Sequence, residues 1–109
     1  VAVIFFLQLN QGSSEPPTTV AGNIVRYTAN GFEPGNIRIT VGQAVVWRNE
    51  SAGDITVDSN PHPIHTSYRP LNLGTIGAGA EKQLTFTETG TYNYHNHLNS
   101  TKQGTVTVE

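Results

Sequence analysis

From Gly22 onward the chain is written in short runs of alternating apolar and polar residues, each closed by a turn-forming residue. The runs are Ile24-Val25-Arg26-Tyr27, Ile37-Arg38-Ile39-Thr40-Val41, Ala44-Val45-Val46-Trp47, Leu84-Thr85-Phe86-Thr87, Tyr92-Asn93-Tyr94 and Thr105-Val106-Thr107-Val108. Between them stand Asn30-Gly31, Pro34-Gly35, Val41-Gly42, Gly77-Ala78-Gly79 and Thr89-Gly90. Successive side chains of a strand face opposite ways, so alternation marks a sheet with one face on a core. No stretch sustains the 3.6-residue apolar period of a helix. Regularly spaced short strands with turn signals predict an all-β sandwich or barrel over residues 22–109. The full length of 109 residues suits a single domain, and no internal repeat or second domain is visible.

The chain before Gly22 has a different character. Residues 10–20 are small, polar and Pro-rich with no apolar period, which reads as a linker extending through 10–21. Residues 1–9, Val-Ala-Val-Ile-Phe-Phe-Leu-Gln-Leu, form an uncharged apolar run. It falls short of the roughly 20 apolar residues that span a bilayer. Two expectations follow. The run is the remnant of a signal or anchor helix that tethers the protein to a membrane, or it is a strand exchanged with a neighbouring copy in a homo-oligomer.

Six basic and eight acidic residues leave a net charge of −2, with no basic face to neutralise a run of phosphates. Nucleic acid is therefore not an expected partner. The serines sit in no nucleophile elbow, and the scattered acids offer no glycosidase pair.

All four histidines lie between positions 62 and 97, in the clusters Pro61-His62-Pro63-Ile64-His65-Thr66 and Tyr94-His95-Asn96-His97-Leu98. A lone histidine is ordinarily a satisfied surface or core residue; two tight pairs in one third of the chain point to a metal ion as partner. The chain has no Cys and no Met, so a metal must be held by imidazole, carboxylate, amide or water. Imidazole suits copper, zinc, iron and nickel, and two chelating pairs lower the entropy cost of assembling a site. In a regular strand His95 and His97 point to the same face, which makes them the better-supported pair. His62 and His65 would point oppositely in a regular strand, but the flanking prolines argue against regularity, so one or both complete the site. Asp58 is a ligand or supporting candidate close by in sequence, although a solvated loop carboxylate is the plainer expectation for it.

The run Phe32-Glu33-Pro34, Ile37, Val41-Gly42, Val45-Val46-Trp47-Arg48-Asn49, Pro61-His62, Gly90-Thr91-Tyr92-Asn93-Tyr94 and Gly104-Thr105-Val106-Thr107-Val108 resembles the cupredoxin family of small copper proteins. The resemblance spans roughly Gly22 to Glu109 and rests on the order and spacing of motifs that are individually weak. It implies a Greek-key β-sandwich with copper, Cu(II), bound in the loops at one end; zinc suits the same histidines. It also implies a departure. Electron-carrying cupredoxins use a Cys, a second His and usually a Met after this Tyr-x-Tyr-x strand, and those positions fall here on Asn96, Asn99 and near Lys102. A blue copper centre needs the thiolate, so none is expected.

Gly90-Thr91-Tyr92-Asn93-Tyr94-His95-Asn96-His97 is also similar to the Tyr-His-Ser-His strand in the first domain of multicopper oxidases, and His62-Pro63-Ile64-His65 to part of their His-Pro-x-His-x-His motif. In that family such pairs ligate non-blue coppers between domains. The resemblance implies His62, His65, His95 and His97 as ligands, with Ser67 standing where the motif has its third His.

The leading expectation is a non-blue, His-ligated Cu(II) protein that binds, stores, transfers or displays the ion. Affinity would fall as pH drops through the imidazole range near ~6.5. Two alternatives remain open: a copper-dependent redox enzyme, with Arg48 and Arg69 as the nearest anion-steering guesses, and a structural subunit of an extracellular assembly joined through its N-terminal strand. The resemblance, the apolar leader and the linker together suggest an extracytoplasmic location: periplasmic, cell-surface or secreted. Asn49-Glu50-Ser51 and Asn99-Ser100-Thr101 match the glycosylation acceptor pattern.

Overall fold

A computed structural model describes residues 23–109. The apolar segment 1–9 and the linker 10–21 lie outside the described residues, and the strand-exchange and tether expectations lie there with them.

The described chain forms nine strands: β1 (Ile24–Thr28), β2 (Gly31–Glu33), β3 (Asn36–Ile39), β4 (Ala44–Asn49), β5 (Ile55–Ser59), β6 (Gly74–Ile76), β7 (Glu81–Thr85), β8 (Gly90–Asn96) and β9 (Asn99–Val108). One short 3-10 turn, Arg69–Leu71, precedes β6. The strands make a four-stranded sheet, β2-β1-β4-β7, and a five-stranded sheet, β3-β9-β8-β5-β6. β1 runs parallel to β4 and β3 parallel to β9, whereas the other pairs are antiparallel. The chain changes sheet five times, between β2 and β3, β3 and β4, β4 and β5, β6 and β7, and β7 and β8, so its own connections stitch the two layers together. The all-β sandwich expected from the alternation is the observed architecture.

Alternation decides which residues fill the space between the sheets. Val25 and Tyr27 of β1 and Val45 and Trp47 of β4 meet Ile39, Val57, Tyr94, Val106 and Val108 of the opposite sheet in one buried cluster. Full burial of each aliphatic side chain stabilises the fold by about 1.5–3 kcal/mol. Trp47 stands edge-on to Tyr94 at 5.4 Å, and Phe32 edge-on to Tyr94 at 4.9 Å. Such T-shaped pairs bring the positive edge of one ring to the negative face of another. Gly104 lies against Tyr94 with no room for a side chain: a Cβ there would overlap the Tyr94 hydroxyl and ring. At the β3–β4 corner the Gln43 amide donates to the Thr40 carbonyl at 3.0 Å, and Gly42 takes φ +94° at the third position of this turn. A type II turn needs that conformation there, and glycine adopts it without steric cost.

Several elements differ from the sequence expectation. The run expected at 84–87 pairs instead over Glu81–Thr85, leaving Phe86 as a core residue just past the strand. β2, β5 and β6 have no counterpart among the expected runs. β5 alternates Ile55 and Val57 with Thr56 and Asp58, but its burial does not alternate, since all five of its residues are buried. Asp58 is consequently not a solvated loop carboxylate: it lies within β5 and is 8% exposed. Asn49 is fully buried, its amide donating to the carbonyls of Gly53 and Ile76 and accepting from the backbone and hydroxyl of Ser51. The glycosylation pattern at Asn49 is thus a structural clamp, whereas Asn99 is exposed.

Candidate metal centre

β8 sends Tyr94 into the core, so by strand alternation His95 points to the outer face of the five-stranded sheet. An outward histidine is normally wet, yet His95 is 1% exposed. Its cover is the segment that follows β5. That segment docks on β8 through the Asn60 amide, which donates to the Asn93 carbonyl at 3.1 Å, and closes on itself as the His65 amide donates to the Pro61 carbonyl at 2.7 Å. The turn carries the rings of His62 and His65 to 5.2 and 4.8 Å from that of His95, centroid to centroid.

His97 arrives by another route. The register of β8 against β9 shifts between His95 and Asn96, and His97-Leu98 form the two-residue turn joining the strands. The regular strand that would set His95 and His97 on one face therefore ends before His97. The turn nevertheless brings the His97 ring to 4.8 Å from His62 and 4.9 Å from His65, while its backbone amide is anchored on the Thr56 hydroxyl at 2.7 Å. All four histidines thus converge. The coordinating atoms of His62, His95 and His97 can all lie within 4.8 Å of one another.

The hydrogen bonds around His95 fix its chemistry. Its Nδ1 lies 2.7 Å from Asn60 Oδ1, an atom that only accepts, so Nδ1 carries the proton and Nε2 keeps its lone pair. That Nε2 faces His65 Nε2 at 3.1 Å. Two ligands each about 2.0–2.1 Å from one metal, at right or tetrahedral angles, lie roughly 2.9–3.4 Å apart. The inner pair therefore already has the separation of two ligands on a shared ion, and the exposed rings of His62 and His97 stand beside it, 4.8 Å apart centroid to centroid. Burial, reinforced by repulsion from the His65 and His62 rings, holds the His95 pKa below the usual imidazole value, against the opposing pull of Asp58. Asp58 is the direct cross-strand partner of His95. A neutral imidazole is the form that ligates a metal.

The positions where the resemblance would put sulfur and the second histidine are otherwise occupied. Asn96 is buried between the sheets, its Oδ1 accepting from the amides of Thr56 and Leu98 and its Nδ2 donating to the Tyr27 hydroxyl. Asn99 binds the Thr101 hydroxyl on the surface. The Lys102 chain packs over Gly31. Arg48, one steering guess, is paired with Glu81 at 2.9 Å and lines a groove on the opposite sheet with Arg26, Glu33 and Pro34, so it does not face the histidines. Two residues that sequence reasoning did not single out also serve the cluster: Asn60, and Asn72, whose amide holds the His65 carbonyl at 2.8 Å. An Asn before a Pro is only a generic turn signal, and Asn72 reaches the site solely through the fold.

No family model matches this sequence, and no curated protein matches it. Among solved structures, a purple cupredoxin from Nitrosopumilus maritimus superposes with a TM-score of 0.70, at 22% identity over 79% of this chain and 98% of that one. The fold is that of the cupredoxins. A Met-to-Ala variant of amicyanin in its Cu(I) form gives a TM-score of 0.64, at 26% identity over 79% of this chain and 80% of that one. An oxidised Pro-to-Ala variant of amicyanin gives 0.67, at 25% identity over 87% of each chain. On this cupredoxin frame the present chain carries no Cys and no Met, and its histidines gather over the outer face of β8.

Proposed function

We propose that the chain is a cupredoxin-like copper-binding protein whose thiolate-free, non-blue site is made by His62, His65, His95 and His97. The observation that carries this is the convergence of four imidazoles around an inner pair already 3.1 Å apart, with His95 Nε2 unprotonated and directed into the cluster. A bound Cu(II) would supply Lewis acidity and one-electron chemistry. The protein's part is to present neutral nitrogens, to shield His95 from water, and to leave His62 and His97 on the surface, where an ion enters and leaves without opening the core. That openness favours binding, storage or transfer over the buried electron shuttle that a thiolate would serve. Zinc is the competing ion, since it takes the same donors.

The test is titration of metal-free protein with Cu(II). One ion per chain with a nitrogen-coordinated paramagnetic spectrum and no thiolate charge-transfer colour is expected; absence of nitrogen coupling refutes the proposal. Superoxide or peroxide turnover by the loaded protein would move the assignment to the redox enzyme. The loss of Arg48 as a steering residue counts against that outcome. An extracytoplasmic location is part of the proposal and is tested by fractionation. Residues 1–9 as tether or subunit link are tested by deleting them and following membrane association and particle size.

A further inference from the structure

The four rings of the cluster are not held alike. His62 and His97 are exposed at its rim, whereas the His95 ring is pinned at both nitrogens, by Asn60 on one side and His65 on the other. Asn60 is in turn unable to drift. Its amide donates to Asn93, and its carbonyl accepts from the Ser67 amide at 2.9 Å and the Ser59 hydroxyl at 3.2 Å, which closes the stem of the loop that bears His62 and His65. Without an acceptor at Nδ1, the buried imidazole would move its proton to Nε2, where His65 Nε2 can accept it, and the lone pair would turn away from the other three rings. The choice between those two forms is made by one side-chain oxygen.

We infer that Asn60 is a positioning residue for the metal centre: by accepting the His95 Nδ1 proton it fixes the tautomer that offers Nε2 to the ion. This rests on the copper assignment above for its purpose, but the tautomer itself is a property of the metal-free protein. Groups that orient a metal-bound imidazole through its second nitrogen typically change metal affinity by about 10–100-fold when removed.

Asn60→Ala and Asn60→Asp, each in the full chain, separate the possibilities. Nitrogen NMR of the metal-free protein at a pH where the imidazoles are neutral should find the His95 proton on Nδ1 in the wild type and in Asn60→Asp, which keeps an acceptor oxygen, and shifted toward Nε2 in Asn60→Ala. Competition with a chelator should show Cu(II) affinity lowered about 10–100-fold in Asn60→Ala and restored in Asn60→Asp. Fluorescence of the single tryptophan, Trp47, reports whether each variant is folded. A His95 proton that stays on Nδ1 in Asn60→Ala, or an affinity loss that Asn60→Asp does not restore, overturns the role of Asn60. Wild-type protein that binds no Cu(II) overturns the functional proposal instead, and the ring tautomers then decide the role of Asn60 alone.

Discussion

Replacing Asn96 by Ala removes three hydrogen bonds at one stroke and leaves the residues they served in different straits. The Thr56 amide is buried and loses its acceptor, the Tyr27 hydroxyl loses a donor in an equally dry place, and the Leu98 amide lies in a surface turn where water replaces the lost partner. A buried donor left without a partner costs about 1–3 kcal/mol. The loss at Tyr27 is smaller, because its hydroxyl can still donate, and the cavity left by an amide is small. The sum is about 2–4 kcal/mol, a large fraction of the stability of a domain this size. It corresponds to a fall in melting temperature of roughly 10–25 °C. The assay is urea denaturation followed through Trp47, with Asn99→Ala as the exposed control expected to change stability by less than about 0.5 kcal/mol. If Asn96→Ala unfolds within about 0.5 kcal/mol of the wild type, the amide network does not replace the sulfur ligand as a structural element, and the account of that position is wrong.

Gly104→Ala forces a methyl into the Tyr94 ring and should destabilise the fold by about 1–3 kcal/mol or abolish expression, measured by thermal unfolding. Stability of the metal-free protein should depend on pH through His95: its folded pKa lies below that of the unfolded chain, near ~6.5, so the unfolded state takes up the proton first as pH falls. Stability is then full above about 6.5, declines below it and levels off under the folded pKa; His95→Gln should flatten that part of the profile in urea midpoints taken at a series of pH values. Expression in a glycosylating host should yield folded protein with no glycan on Asn49, checked by peptide mass spectrometry, since a sugar there would displace the bonds to Gly53 and Ile76.

Much of this was legible in the sequence because period-two alternation is a direct record of one-sided burial. It marked β1, β3 and β9, whose outer faces meet water, and also β4 and β8, whose outer faces are covered in part, at Val46 and His95. It missed β5, Ile55-Thr56-Val57-Asp58-Ser59, where Ile and Val alternate with Thr and Asp over only five residues and both faces are buried. It missed β2 and β6 because three-residue strands are too short for a period to show. The four histidines could be grouped by spacing, but the route of each could not be read. A regular strand would have aligned His95 with His97; a register shift and a two-residue turn bring them together differently. Contacts such as Asn60 with His95 join residues 35 positions apart, and only the folded chain brings them into reach.

The position of Asp58 on β5, across from His95 and on the same outer face, has an electrical consequence. Four neutral imidazoles leave the charge of a bound ion uncompensated, and a carboxylate beside it favours the more highly charged of two oxidation states. If the histidines hold copper as proposed, Asp58 would draw the couple toward Cu(II). Asp58→Asn should accordingly raise the reduction potential of the loaded protein in voltammetry, and an unchanged potential would show that the carboxylate's field does not reach the ion.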